Sequence, residues 1–139
     1  MQTTVFMHPE KIKNLVNLNA ADRYDYFIRH CADFGEIWGL FAGADNWIII
    51  KDAAGDEIFP VWPHKELAEL CMFREHQEMG AIPRLISFDS FVNHCIPDMQ
   101  NHAVLFGVFY DLNRTAIAVD PLKLKNDLVA ERSELFDDD

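Results

Sequence analysis

A proline in the middle of an apolar, strand-like run does most to limit what this chain can become. The run is Ile58-Phe-Pro-Val-Trp62, and Pro63 follows it directly. Pro60 has no N–H to give a ladder, so this segment is predicted to be an edge strand or to carry a bulge. Pro63 suits the opening turn of a helix, predicted from there to about Met79 with Gly80 as its stop. The centre of the chain therefore passes from strand to helix with almost no loop between them.

Elements on either side complete an α+β pattern. A first helix is predicted to open at Pro9, with Ile12, Leu15 and Val16 on one face. Asn19 reads as the N-cap of a second helix, whose Tyr24, Phe27, Ile28, Cys31 and Phe34 recur at helical spacing before Gly35. Ile37–Phe41 and Trp47–Ile50 are short and apolar, and the Gly43–Asn46 turn between them predicts a hairpin. With Asp52–Asp56 as a second turn, the run to Trp62 extends this hairpin into a meander. Ile82–Ile86 is a further strand, and Ser87 caps a helix expected to stop at Pro97. Val104–Tyr110 and Thr115–Val119 flank Asp111–Arg114 as a second hairpin. Asp120-Pro121 starts the last helix, whose apolar side is read as Leu124, Leu128, Val129 and Leu135. Hairpins without regular βαβ alternation predict a mainly antiparallel sheet, two hairpin or meander units packed with about five helices.

Length and charge set the wider limits. The 139 residues include eleven Phe, three Tyr and three Trp, enough for one real core and against disorder. No repeat or linker divides them, so residues 1–139 are read as a single domain. Net charge is −11, which argues against nucleic-acid phosphate or an anionic membrane as the main target and toward a basic protein partner. The first residues show no secretory pattern, and no apolar run approaches the ~20 residues of a membrane span. Three cysteines, widely spaced and without a Cys-x-x-Cys pair, fit reduced thiols in a cytoplasm. Asp137–Asp139 would sit at the negative end of the last helix dipole and are expected to fray it.

Several residues together resemble a known group. Arg23, Tyr26-Phe27, Trp38-Gly-Leu40, Trp47, Gly55, and above all Pro60-Val-Trp-Pro63 followed by Ala68 are similar to the bacterial domain-of-unknown-function family numbered 2750. Pro83, Ile86, Phe91 and Val108-Phe109 fit its later half. The resemblance spans residues 20–119, leaving 1–19 as an N-terminal helix and 120–139 as a C-terminal helix with an acidic tail. It implies a small bacterial α+β domain with no assigned activity and supplies no catalytic residues.

Chemical motifs are sparse. Six histidines and three cysteines show no metal-ligand spacing, and there is no nucleophile elbow or phosphate loop. No catalytic residue, metal or cofactor is therefore assigned. The leading reading is a non-enzymatic protein-interaction module, of adaptor, regulatory or immunity-like type. The alternative is a small anionic-ligand-binding or enzymatic domain at the strand-to-helix junction. There Trp62 offers a ring, His64 and Lys65 lie in the first helical turn, and Arg84 joins from the later strand.

Overall fold

In the computed structural model, which describes residues 7–43 and 46–136, local signals set most element boundaries. Helix α1 is Pro9–Val16, capped by His8. Helix α2 is Ala20–Phe34: the Asn19 side chain accepts from the Asp22 N–H, and Gly35 ends it in the left-handed conformation at φ 73°. The strands are β1 (Glu36–Ala42), β2 (Asn46–Trp47), β3 (Ile50–Lys51), β4 (Glu57–Val61), β5 (Ile82–Ser87), β6 (Leu105–Val108) and β7 (Ile117–Val119). The last helix, α6, is Pro121–Phe136, and its first two free N–H groups bond to the Asp120 carboxylate. The α+β class holds. Ala44, Asp45 and the Asp137–Asp139 tail lie outside the described residues, so part of the first predicted turn and the fraying of the last helix are not seen.

The strands form two sheets rather than one. Their orders are β2-β1-β5 and β3-β4-β6-β7, and every pair is antiparallel except β4 with β6. A single stretch of chain, β2 to β3, changes partner on the way. Ile48 still bonds to Leu40 of β1, whereas Ile50 pairs with Ile58 of β4. Trp38 of β1 and Trp62 exchange both backbone hydrogen bonds, at 2.9 and 2.8 Å, and so join the two sheets.

This arrangement overturns the edge-strand reading of Pro60. Strand β4 is internal, between β3 and β6. Successive strand residues turn their peptide groups to opposite sides. Phe109 N–H donates to the Val61 carbonyl on the β6 side, and Trp62 bonds Trp38 on the other side, so Pro60 faces away from β6. There the β3 pairing has already stopped, at Ile50 opposite Ile58, and the bridge to β1 begins only at Trp62. The missing N–H falls in the gap between two partners.

Two helices also depart from expectation. The helix predicted from Pro63 starts at Lys65 and is split into α3 (Lys65–Cys71) and α4 (Arg74–Glu78). Met72 and Phe73 take extended backbone between them and sink their side chains into the core. The helix expected to stop at Pro97 runs through it. Helix α5 comprises Phe88–Ser90, a π-helical turn over Phe91–Cys95, and Ile96–Asn101. In the π turn the Ile96 N–H reaches back five residues to Phe91, and this wider spacing admits a ring that has no N–H and would crowd a regular α turn. On α6, Leu124 and Leu128 are buried as predicted, but Val129 and Leu135 face solvent. The core between the sheets and helices is aromatic: Phe27, Phe59, Trp62, Phe91, Phe106 and Phe109 are all fully buried.

Candidate functional site

The strand-to-helix junction brings together some of the predicted residues and new neighbours from α2. Trp62 is fully buried, and its indole N–H donates to the Tyr110 carbonyl at 3.0 Å. Its ring is thus core rather than a platform. His64 is half-buried at the N-cap of α3, where its side chain makes no capping bond. Its Nε2 instead lies 2.7 Å from the Tyr26 hydroxyl of α2, and its ring centroid is 4.1 Å from that of His30. Tyr26 stacks on His30 at 5.5 Å, and Phe34 covers the other side at 4.6 Å. Lys65 is exposed beside this cluster.

Arg84 stands apart. It pairs across β1 with Gly39, and Trp38, the partner of Trp62, is the next residue along. Neighbours along a strand point to opposite faces, so Arg84 projects from the face that Trp38 and Trp62 do not use. Its guanidinium lies 4.3 Å over the Phe41 ring. The structure therefore does not assemble Trp62, His64, Lys65 and Arg84 into one pocket.

Electrostatics weaken the anion reading of the junction further. Burial, then the nearby Lys11 charge, lowers His30 to about 4. Burial, then His30 and Lys11, lowers His64 to about 3. Both imidazoles are uncharged at neutral pH, and the positive charge an anion would seek is left to Lys65 and Lys11. Helix α3 has only seven residues, so its dipole adds little.

A cleft of about 610 Å³ lies elsewhere, between the sheets and α5. Trp47, Phe59 and Ile86 form its floor; the α5 residues from Ser90 to Asn101 form its wall. Gly39 makes the floor possible, because a Cβ there would stand 3.0 Å from the Trp47 ring and 3.2 Å from that of Phe59. Asn93, His94, Asp98 and Asn101 are exposed at the rim, so an aromatic base is edged by two amides, an imidazole and one carboxylate. Cys95 also lines it, but burial and then Asp98 push its thiol up to about 12, far from a reactive thiolate. Sequence reasoning missed this site. The available signal was Pro97 inside a helical pattern that resumes at Met99, the mark of a π turn at a helix interior.

Among the described residues no three of His, Cys, Asp and Glu converge closely enough to hold a metal ion. No described helix is long and apolar enough to cross a membrane. A family model described as "Protein of unknown function (DUF2750)" matches residues 24–128. The chain belongs to that family. The match extends past Val119 into α6, so the DUF2750 domain includes the first half of the helix that the sequence resemblance left as a flank. No curated protein and no solved structure matches the chain.

Proposed function

We propose that this DUF2750 protein is a non-enzymatic protein-interaction module of the bacterial cytoplasm, and that the α5 cleft is the anchor pocket for a basic partner. One observation carries the reading: the α5 cleft has an aromatic floor and a carboxylate at its rim. Trp47 is half-buried and lines the cleft, and Asp98 supplies the only carboxylate among the lining residues. An arginine side chain fits both, stacking its guanidinium on the indole while pairing with the carboxylate. Arginine anchors of this kind dominate the energetics of many interfaces. The chain's charge of −11 would speed the encounter with such a partner.

Nitrogen-15 NMR with a capped arginine amide as probe tests the proposal. The Trp47 indole and the amides of residues 93–101 are expected to shift together, and Asp98→Asn to weaken binding by about tenfold, the effect of losing one charge-assisted contact. Shifts confined to other surfaces, or binding indifferent to Asp98→Asn, would overturn it.

A second reading keeps the junction as a small-anion site, with or without enzymatic activity. The half-buried Tyr26–His64–His30 cluster beside exposed Lys65 favours it. Titration with inorganic phosphate that shifts His64 and Lys65, while the capped arginine leaves residues 93–101 unmoved, would select this reading over the first.

A further inference from the structure

Strand β5 is the outer strand of its sheet, and among the described residues nothing pairs with its free side. It is six residues long and leaves Ile82 60% and Leu85 47% exposed. Its backbone directions follow from the register. Phe88 N–H donates to the Gly35 carbonyl, whereas Trp38 and Leu40 of β1 spend their groups on Trp62 and Ile48. Hence Ile82, Arg84 and Ile86 bond inward to β1, and Pro83, Leu85 and Ser87 face outward.

The outward set has an unusual composition. Pro83 offers a carbonyl and no N–H. Ser87 offers an N–H, but as the N-cap of α5 its carbonyl accepts the first helical bond. Leu85 offers both groups. These needs are reciprocal about Leu85. In an antiparallel pair of β5 strands related by a two-fold axis at Leu85, the two Leu85 residues exchange both bonds. Each Ser87 N–H then meets the Pro83 carbonyl of the other copy, and the two groups missing from a full ladder are the two that have no need of a partner. Moving the axis to Arg84 would set each Pro83 against Leu85 and leave both Leu85 carbonyls without a donor.

We propose that β5 is a homodimer edge, occupied by β5 of a second copy of this chain in the register centred on Leu85. The result is a continuous six-stranded sheet. On one face it sets the two Leu85 side chains against each other, flanked by half-buried Trp38, their partner on β1. On the other face it sets each Arg84 opposite Ile86 of the second copy. The pairing is self-complementary, as a two-fold interface requires. It also gives the exposed leucine a cover, where an open apolar edge would invite indiscriminate association.

Sedimentation velocity on the full chain tests this. A species of twice the 16.1 kDa chain mass is expected, tightening as salt rises because two chains of net −11 repel each other. Leu85→Pro removes the central outward N–H, which the single chain does not use, and Leu85→Lys adds charge at the axis. Each is expected to loosen the dimer by at least about tenfold while circular dichroism stays unchanged. Leu85→Cys, in a Cys95→Ser background, is expected to cross-link on oxidation, since directly opposed residues of such a pair sit about 5.5 Å apart at Cα. A monomer at about 100 µM, well above the dissociation constants of stable dimers, would overturn the proposal. So would a dimer that survives Leu85→Pro and Leu85→Lys and fails to cross-link.

Discussion

Arg23 and His30 stand two turns apart on α2, and both carry nitrogen toward the interior, yet one is met by acceptors and the other by rings. Arg23 is only 2% exposed. Its Nε donates to the Phe109 carbonyl at 2.9 Å, and its two terminal nitrogens donate to the carbonyls of Leu18 and Thr115. Asp111 lies 3.5 Å away as counter-charge. Phe109 turns its carbonyl to this guanidinium from a left-handed backbone at φ 63°. His30 has neither a carboxylate nor a carbonyl within bonding reach in the described contacts; its neighbours are the rings of Tyr26, Phe34 and His64. The acceptors around the guanidinium tie elements together; the rings around the imidazole leave its charged form unsolvated, and it gives up its proton.

Removing Arg23 breaks the comparison at its strongest point. Arg23→Ala is expected to cost about 3–5 kcal/mol, the usual loss when one member of a buried, hydrogen-bonded charge set is deleted. Three carbonyls and Asp111 would be left without their donor. Urea unfolding at pH 7.5 measures it; a loss under about 1 kcal/mol would mean that water replaces the guanidinium at little cost. Arg23→Lys sharpens the point. It keeps the charge but cannot span acceptors on the α1–α2 and β6–β7 connections at once, so about 2–3 kcal/mol should still be lost.

The histidine half of the comparison is read through pH. Both imidazoles titrate lower in the folded chain than the ordinary value near 6.5, so below 6.5 the unfolded chain binds protons that the folded chain refuses. Their stabilising contribution is complete above pH 6.5 and is lost progressively as pH falls toward the folded values of about 4 and 3. Because both rings are half-solvated, the joint loss between pH 7.5 and 5 is expected to be about 2 kcal/mol. Replacing both by Gln should flatten that part of the urea-midpoint profile. If the profile is equally steep in the double variant, carboxylates are responsible and the two histidines titrate normally.

How far the sequence carried this picture depends on how local each cause is. The Asn19 cap, the Gly35 stop and the Asp120-Pro121 start are decided within four residues, and all are visible in the string. Pro60 misled because its effect depends on which side of the strand its nitrogen faces, a matter of register with residues far away. Pro97 misled because a π turn, set by packing, replaced the expected stop. Arg23 stood out only through the family resemblance, since its acceptors lie up to 92 residues along the chain. The meeting of Tyr26, His30 and His64 had no local signature at all, and Arg84, expected to join from the later strand, is turned away by the alternation of that strand.

The smallest expected effect isolates one hydrogen bond in the ring cluster. The Tyr26 hydroxyl, its own titration raised by burial and then by Cys31, stays protonated and can donate to the His64 Nε2 at 2.7 Å. A donor at that nitrogen favours the neutral ring. Tyr26→Phe removes it without opening a cavity, so stability at pH 7.5 should drop by only about 0.5–1.5 kcal/mol. The His64 titration should move up toward the ordinary histidine value, because the neutral form has lost its bond and the desolvation remains. Two-dimensional NMR of the imidazole carbons gives both ring titrations in one series. A His64 value unmoved by Tyr26→Phe would mean that desolvation alone holds the ring neutral, and the contrast with Arg23 would then be one of acceptors present against acceptors absent, with no part played by the phenol.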